Sequence, residues 1–260
     1  MELDLRGRRA VVTGGNSGIG RAIALGLGAE GARVCVNYVA HPESAQDAVN
    51  AISAGGGAAI AVPADVSDPA QVAQLFADID AAWGGIDILV NNAGVDGARA
   101  AGWEQTIDAW RRVLDINLTG AYLCAREALR RMVPNRRGVI LNLTSVHERI
   151  PWTGYGAYTA SKAGLSMLTK TLAQEAAPSG VRVLALAPGA IETPINRDVW
   201  TDPAQLADLL TKIPMGRVGT VDDVARMAVV LVSDAARYVT GTTVFVDGGM
   251  TLYPSFMRGG

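Results

Sequence analysis

The run from Tyr158 to Lys162 sets a phenol four positions before an ammonium, and Ser145 lies thirteen positions upstream of the phenol. Residues four apart on a helix share one face a single turn from each other, so Tyr158 and Lys162 can enter one pocket. A free phenol titrates near pH 10, and a fixed cation beside it favours the phenolate. Lowering its pKa by roughly three units needs about 4 kcal/mol of differential interaction, which a partly desolvated ammonium with a bound cofactor cation can supply. Tyr158 could then take a proton from an alcohol, or return one to a carbonyl, near neutral pH. Ser145 would hydrogen-bond the same oxygen. The plain alternative is a surface tyrosine that happens to precede a lysine by one turn. Tyr155 has Thr159 four positions on, so it lacks an activating cation.

The elements that must position these groups alternate along the chain. Strand-like runs fall at residues 9–13, 33–37, 58–62, 86–90, 139–143, 181–186 and 243–246. Helical patterns fall at 19–29, 43–54, 70–83 and 106–132, on the stretch carrying Tyr158 and Lys162, and in short pieces to about 231. Seven strands separated by helices predict an α/β fold, a doubly wound, Rossmann-like parallel sheet with crossover helices on both faces. No linker, repeat or low-complexity tract divides residues 1–260, which read as one domain. The stretch at about 190–215, rich in Pro and short polar turns, reads as a flap.

The junction after the first strand is glycine-rich: Gly14, Gly15, Asn16, Ser17, Gly18, Ile19, Gly20. Glycines there let the backbone turn tightly and approach a pyrophosphate, while free N–H groups of the next helix face its charge. The spacing is not that of the commoner dinucleotide fingerprint, and a tight structural turn is the competing explanation. Asp65 with Val66 follows the third strand, and Asn91, Asn92, Ala93 and Gly94 follow the fourth. Both groups sit at carboxyl ends, where the crevice of such sheets opens. Asp65 could accept from an adenine amino group, or cap the helix beginning near Asp68.

Composition narrows the field. A 260-residue chain with 49% hydrophobic and 18% charged residues fits a packed enzyme. Its net charge of −2 offers no electrostatic reason to expect nucleic acid or an anionic membrane as partner. No N-terminal leader pattern and no spanning apolar run is read, so a cytoplasmic location is expected. Cys35 and Cys124 read as buried reduced thiols, and two isolated histidines suggest no metal site.

Together these segments resemble the short-chain dehydrogenase/reductase family over essentially the whole chain. The likeness rests on residues 13–20, Asp65, Asn91 to Gly94, Asn117, Ser145, Tyr158 with Lys162, and Pro188 with Gly189. It implies a nicotinamide-dependent oxidoreductase in which Tyr158 is the acid/base and Ser145 orients the reacting oxygen. Lys162 would lower the tyrosine pKa and bond the nicotinamide ribose, and Asn117 would hold a water linking Lys162 to solvent. Pro188 and Gly189 would shape the nicotinamide pocket, with Ile191 and Thr193 near the carboxamide. A homotetramer built on the helix at 106–132 and the Tyr158 helix is also implied, with Tyr253 and Phe256 meeting another subunit.

Within the family, residues 145–152, 188–196, 213–216 and 247–256 look like the bacterial glucose 1-dehydrogenases. That likeness implies a sugar substrate held by His147 and Asn196, the tail around Arg258 reaching the site, and oxidation of the anomeric hydroxyl of an aldose to a lactone. A loop histidine and a turn asparagine are the duller explanations. Asp96 stands where glutamate is expected, which puts direct sugar contact in question. NAD or NADP could serve. The second strand ends Asn37, Tyr38, Val39, and the similar glucose enzymes carry arginine at the place of Val39, so the reading leans to NAD, with His41 and Asn37 able to stand in for a phosphate partner. Two rivals stay open. One is a reductase of carrier-linked or other small carbonyls, with Arg126, Arg130 and Arg131 meeting an acidic carrier. The other is a cofactor-binding protein without chemistry.

Overall fold

The computed structural model describes residues 3, 5–193 and 200–252. Seven strands run in chain order: β1 (Arg9–Val12), β2 (Arg33–Tyr38), β3 (Ala58–Pro63), β4 (Ile88–Asn91), β5 (Gly138–Leu143), β6 (Val181–Pro188) and β7 (Thr243–Val246). All pair in parallel in the order β3-β2-β1-β4-β5-β6-β7. The order reverses between β1 and β4, and a ligand crevice opens at such a switch point.

Alternation along each strand feeds two cores, one on each face. Ala10 and Val12 of β1 face one side, with Ile23 and Leu27 of α1 (Gly18–Ala29), Ala48 of α2 (Pro42–Ala54) and Val224 of a late helix. Val11 faces the other, with Leu75 and Phe76 of α3 (Pro69–Trp83) and, from helices described below, Cys124 and Leu172. Cys35 and Cys124 are free thiols in this second core, and burial pushes both up to about 12, which makes them inert.

The single helix expected over 106–132 is three pieces. α4 (Ile107–Leu114) and α5 (Ala121–Met132) flank a π-helical segment, Asp115–Gly120. Such a bulge displaces one residue from the α register and is frequent at functional sites. Here it carries Asn117. α6 (Gly156–Ala176) carries Tyr158 and Lys162, and α7 (Pro203–Leu210) and α8 (Val221–Val232) close the series. Thr220 starts α8 with a reciprocal capping box to Asp223. Among the described residues no helix is long and apolar enough to cross a membrane.

Candidate active site

The crevice begins where β1 and β4 end side by side. The Thr13 hydroxyl accepts from the backbone N–H of Asn92 at 3.0 Å and of Ala93 at 3.1 Å, and Asn92 Nδ2 donates to the carbonyls of Thr13 (2.9 Å) and Gly14 (3.1 Å). These bonds clamp the glycine loop to the neighbouring strand. Gly14 and Gly18 hold φ of 60° and 51°, in the left-handed region that side chains resist. Ser17 precedes α1 but makes no capping bond, and the first turn contains no acid. The helix therefore offers its N–H groups outward, and an added methyl at Gly18 would come no nearer than 3.9 Å to Thr193. That open cradle before a bare helix N-terminus fits a pyrophosphate.

Gly20 has no such room. A methyl there would stand 2.3 Å from the Gly14 carbonyl oxygen and 2.4 Å from Asn92 Nδ2. Gly20→Ala should therefore destabilise the fold by about 1–3 kcal/mol and loosen dinucleotide binding, because the clamp itself must move. Thermal unfolding and a cofactor titration check this; a variant matching the parent in both would show that the loop yields freely.

Two of the sequence-predicted cofactor residues turn inward instead. Asn37 is buried, and its amide donates to the carbonyls of Val62 (3.2 Å) and Ala64 (3.0 Å), stitching β2 to β3. It cannot stand in for a phosphate partner, since both of its N–H donors are spent under the sheet. Asn91 likewise points into the core, donating to Ala121 O at 3.0 Å and Asn142 Oδ1 at 2.9 Å. His41 is engaged with Glu43 at 3.1 Å, and Val39 is 64% exposed at the strand end. Asp65 is not the cap of α3. That role belongs to Asp68, whose carboxylate accepts from Ala70 N and Gln71 N, while Asp65 forms a turn with the Ser67 N–H and hydroxyl and lies 3.5 Å from Arg112. Val66 is buried, as is Ile191, which bridges to Gly219. Asn16 reaches the Ala40 carbonyl at 3.0 Å, while Ile19 and Ala93 are partly buried along the crevice. Pro188 ends β6, and Gly189 packs so closely on Asp247 that a methyl would meet its Cα at 2.7 Å. Asn196, Tyr253, Phe256 and Arg258 lie outside the described residues.

The chemical groups converge at the ends of β4 and β5. Ser145 follows β5, and its hydroxyl accepts from the His147 N–H at 3.2 Å. Lys162 is 5% exposed and donates to the Leu143 carbonyl at 2.7 Å. Its Nζ lies 5.7 Å from the centre of the Tyr158 ring. Asn117 accepts from Val95 N at 2.8 Å and donates to Val95 O (2.9 Å) and Ser161 Oγ (3.0 Å), tying the π segment to α6. A methyl on Gly94 would lie 3.2 Å from Asn117 Oδ1 and 3.6 Å from Lys162 Nζ, so a side chain there would crowd the asparagine and sit against the ammonium.

Electrostatics here correct one expectation. Burial, the largest influence, pushes the Tyr158 phenol up to about 12; the Ser145 hydroxyl draws it down and the Asp96 charge raises it. The ammonium does not depress it, because Lys162 reaches beneath the ring to the Leu143 carbonyl instead of lying beside the hydroxyl. Burial lowers Lys162 to about 8, with Asp96 opposing. The protein's own groups thus keep the phenol protonated at neutral pH, ready as an acid. Its service as a base requires added positive charge, which an oxidised nicotinamide carries along with its capacity to accept hydride.

A pH dependence of stability follows. Lys162 titrates lower folded (about 8) than unfolded (10.5), so its burial penalty is complete below pH 8 and is relieved as pH rises to 10.5. A shift of that size corresponds to about 3 kcal/mol. Tyr158 is raised, so its contribution is present below pH 10 and is lost between 10 and about 12. Denaturant unfolding of wild type against Lys162→Met should show wild type gaining by about that amount from pH 7.5 to 10. Parallel pH curves would remove the buried ammonium from this account.

The reading of residue types overlooked an aromatic group beside the phenol. Trp152 stacks on His147 (centroids 4.6 Å apart) and on Tyr155 (3.9 Å), and both Trp152 and His147 meet the Tyr158 ring edge-on, at 5.8 and 6.2 Å. His147 Nδ1 faces the Ile150 carbonyl at 3.0 Å, which places the proton on Nδ1 and leaves Nε2 as an acceptor. Burial lowers the His147 pKa and raises that of Asp96, and each responds to the other's charge. A Trp directly after Pro151 in a turn carries no chemistry by itself, so only the shared pocket reveals it.

A glycine cradle at the switch point, with Ser145, Tyr158 and Lys162 at its inner end, defines an NAD(P)-dependent oxidoreductase. Comparison with known proteins agrees. The family described as "Enoyl-(Acyl carrier protein) reductase" matches residues 14–251. The chain is 51% identical to 3beta-hydroxysteroid dehydrogenase 1 of Eggerthella lenta over 98% of both chains. It is 44% identical to glucose 1-dehydrogenase 2 of Bacillus subtilis, over 98% of this chain and 99% of that one. An Agrobacterium tumefaciens protein proposed to be a 2-deoxy-D-gluconate 3-dehydrogenase, solved with bound NADP, superposes with a TM-score of 0.89 at 38% identity, over 96% of this chain and 99% of that one. The chain belongs to the short-chain dehydrogenase/reductase family.

Proposed function

We propose that the enzyme oxidises the anomeric hydroxyl of an aldose, glucose foremost, to the lactone. The observation that carries this reading is the pair of desolvated polar groups, the Asp96 carboxyl and the His147 imidazole, flanking the Tyr158 phenol. A polyhydroxylated ring satisfies both, whereas an apolar substrate would leave each unpaired at about 1–3 kcal/mol. Ser145 and Tyr158 hold the reacting oxygen, and Tyr158 takes its proton as hydride leaves the carbon. Trp152 gives the sugar ring an apolar edge. The exposed Val39, at the place where the similar glucose enzymes carry arginine, supports NAD over NADP. The stretch at 190–215 acts as flap, and Asn196 is a further sugar partner. The whole chain acts as one domain, assembled as a homotetramer; the exposed Tyr122 and Val133 of the α5 region and Met167 of α6 support burial against other copies.

A second reading has its own support. The Trp152 stack and the 51% identity to a hydroxysteroid dehydrogenase favour a flat alicyclic alcohol. The carrier-linked reading gains no support from Arg126, Arg130 and Arg131, which are paired with Glu127 and Asp80. Initial rates on aldoses, 3-hydroxysteroids and a 3-oxoacyl thioester, with NAD and NADP, decide among these. Glucose turnover that Asp96→Asn impairs through KM supports the sugar reading; turnover of steroid alone sinks it.

A further inference from the structure

The chain carries a net charge of −2, yet arginines gather at the end of the sheet opposite the active site. A cleft of about 340 Å³ opens where β4, β5 and β6 begin, and its charged lining is Arg8, Asp87, Arg137, Arg182, Asp234 and Arg237. Both carboxylates are already committed. Arg9, outside the cleft, binds Asp87 through Nε at 2.8 Å and Nη2 at 2.9 Å, and Arg8 meets Asp234 at 3.1 Å. Arg137, Arg182 and Arg237 remain with no carboxylate in contact among the described residues.

These three differ in rigidity. The guanidinium of Arg182 is partly buried and fixed by three carbonyls, Leu231 (2.9 Å) and Val239 (3.2 Å) through Nη1 and Ser233 (3.0 Å) through Nη2. Burial lowers its pKa, Asp234 raises it and Arg8 lowers it further, so another anion nearby would relieve it. Helix ends explain part of this clustering, since Arg182 caps the last carbonyls of α8 and Arg136 reaches Pro178 O at 2.9 Å. They do not explain Arg137 and Arg237, which are exposed and whose side chains make no hydrogen bond or ion pair among the described residues, although the Arg137 charge is close enough to lower the Asp87 pKa.

We propose that this cleft binds a phosphate-type oxyanion, with Arg182 as the fixed donor and Arg137 and Arg237 closing over it. Planar guanidinium forks match the oxygens of a phosphoryl group, and three arginines lining one cleft suit its charge at neutral pH. The space accepts one phosphoryl group with its water and is small for a dinucleotide. Because the cleft joins the starts of three strands, occupancy stabilises the sheet without touching the reacting groups at its far end.

The test is thermal unfolding of the enzyme with its glycine loop saturated by NAD or NADP, so that phosphate does not act there. Inorganic phosphate at about ten times its Kd should raise the Tm by about 3 °C over sodium chloride of equal ionic strength. The double variant Arg137→Ala, Arg237→Ala should lose that rise, and calorimetric titration of the wild type should give one phosphate per chain. Glycerol phosphate is the second arm: an equal rise supports phosphate esters as the ligand, and no rise supports the free ion. No increase over chloride, an equal increase in the double variant, or no heat in the titration would overturn the proposal.

Discussion

Tyr158→Phe should fold, bind the dinucleotide with a Kd within about twofold of the parent, and lose about a thousandfold or more in kcat, the span that a positioned general acid/base supplies. The substitution removes one oxygen and keeps the ring, so the edge contacts to Trp152 at 5.8 Å and His147 at 6.2 Å survive. Lys162 keeps its bond to Leu143, and the glycine cradle lies on other elements. What goes is the hydroxyl that hydrogen-bonds with Ser145 and exchanges the proton. Single-turnover kinetics with stopped-flow nicotinamide absorbance read the chemical step alone. Retained hydride transfer would falsify the assignment.

The strands were legible because each carries a dense apolar run between turn residues, as parallel strands buried on both faces must. Of the site, what could be read were residues whose identity is demanded by chemistry: the phenol, the ammonium and the glycines. Side chains whose work is done inward were misplaced. Asn37 and Asn91 occupy strand ends where a crevice opens, and nothing in a residue type says whether an amide points to ligand or to the next strand. The π segment at 115–120 was invisible for a related reason. One displaced residue leaves the apolar periodicity of 106–132 almost intact, so its presence is fixed by the Asn117 bonds to Val95 and Ser161, which join residues far apart in sequence. Thr13 and Asn92 had a local signal, a hydroxyl ending β1 and an amide just past β4, but their partnership needs the reversed strand order.

Lys162→Met should separate activity from stability more sharply than any other change at the site. A buried ammonium lowered to about 8 burdens the folded state by about 3 kcal/mol at neutral pH. Methionine removes that burden and fills similar space, but leaves the Leu143 carbonyl without its 2.7 Å donor, a loss of about 1–3 kcal/mol. The two nearly cancel, so the variant should melt within a few degrees of wild type. Turnover should nonetheless fall about a hundredfold or more, because the ammonium 5.7 Å from the phenol ring, which the family likeness places on the nicotinamide ribose, is gone, while burial and Asp96 still oppose the phenolate. If the bound dinucleotide brings the ammonium into play at the phenol, the acidic limb of kcat/KM for the oxidation should also move to higher pH. An unmoved limb, with full turnover, would mean that added charge from the dinucleotide suffices to ionise Tyr158. A collapse in Tm would mean that Lys162 holds β5 to α6 and acts on the reaction only through that packing.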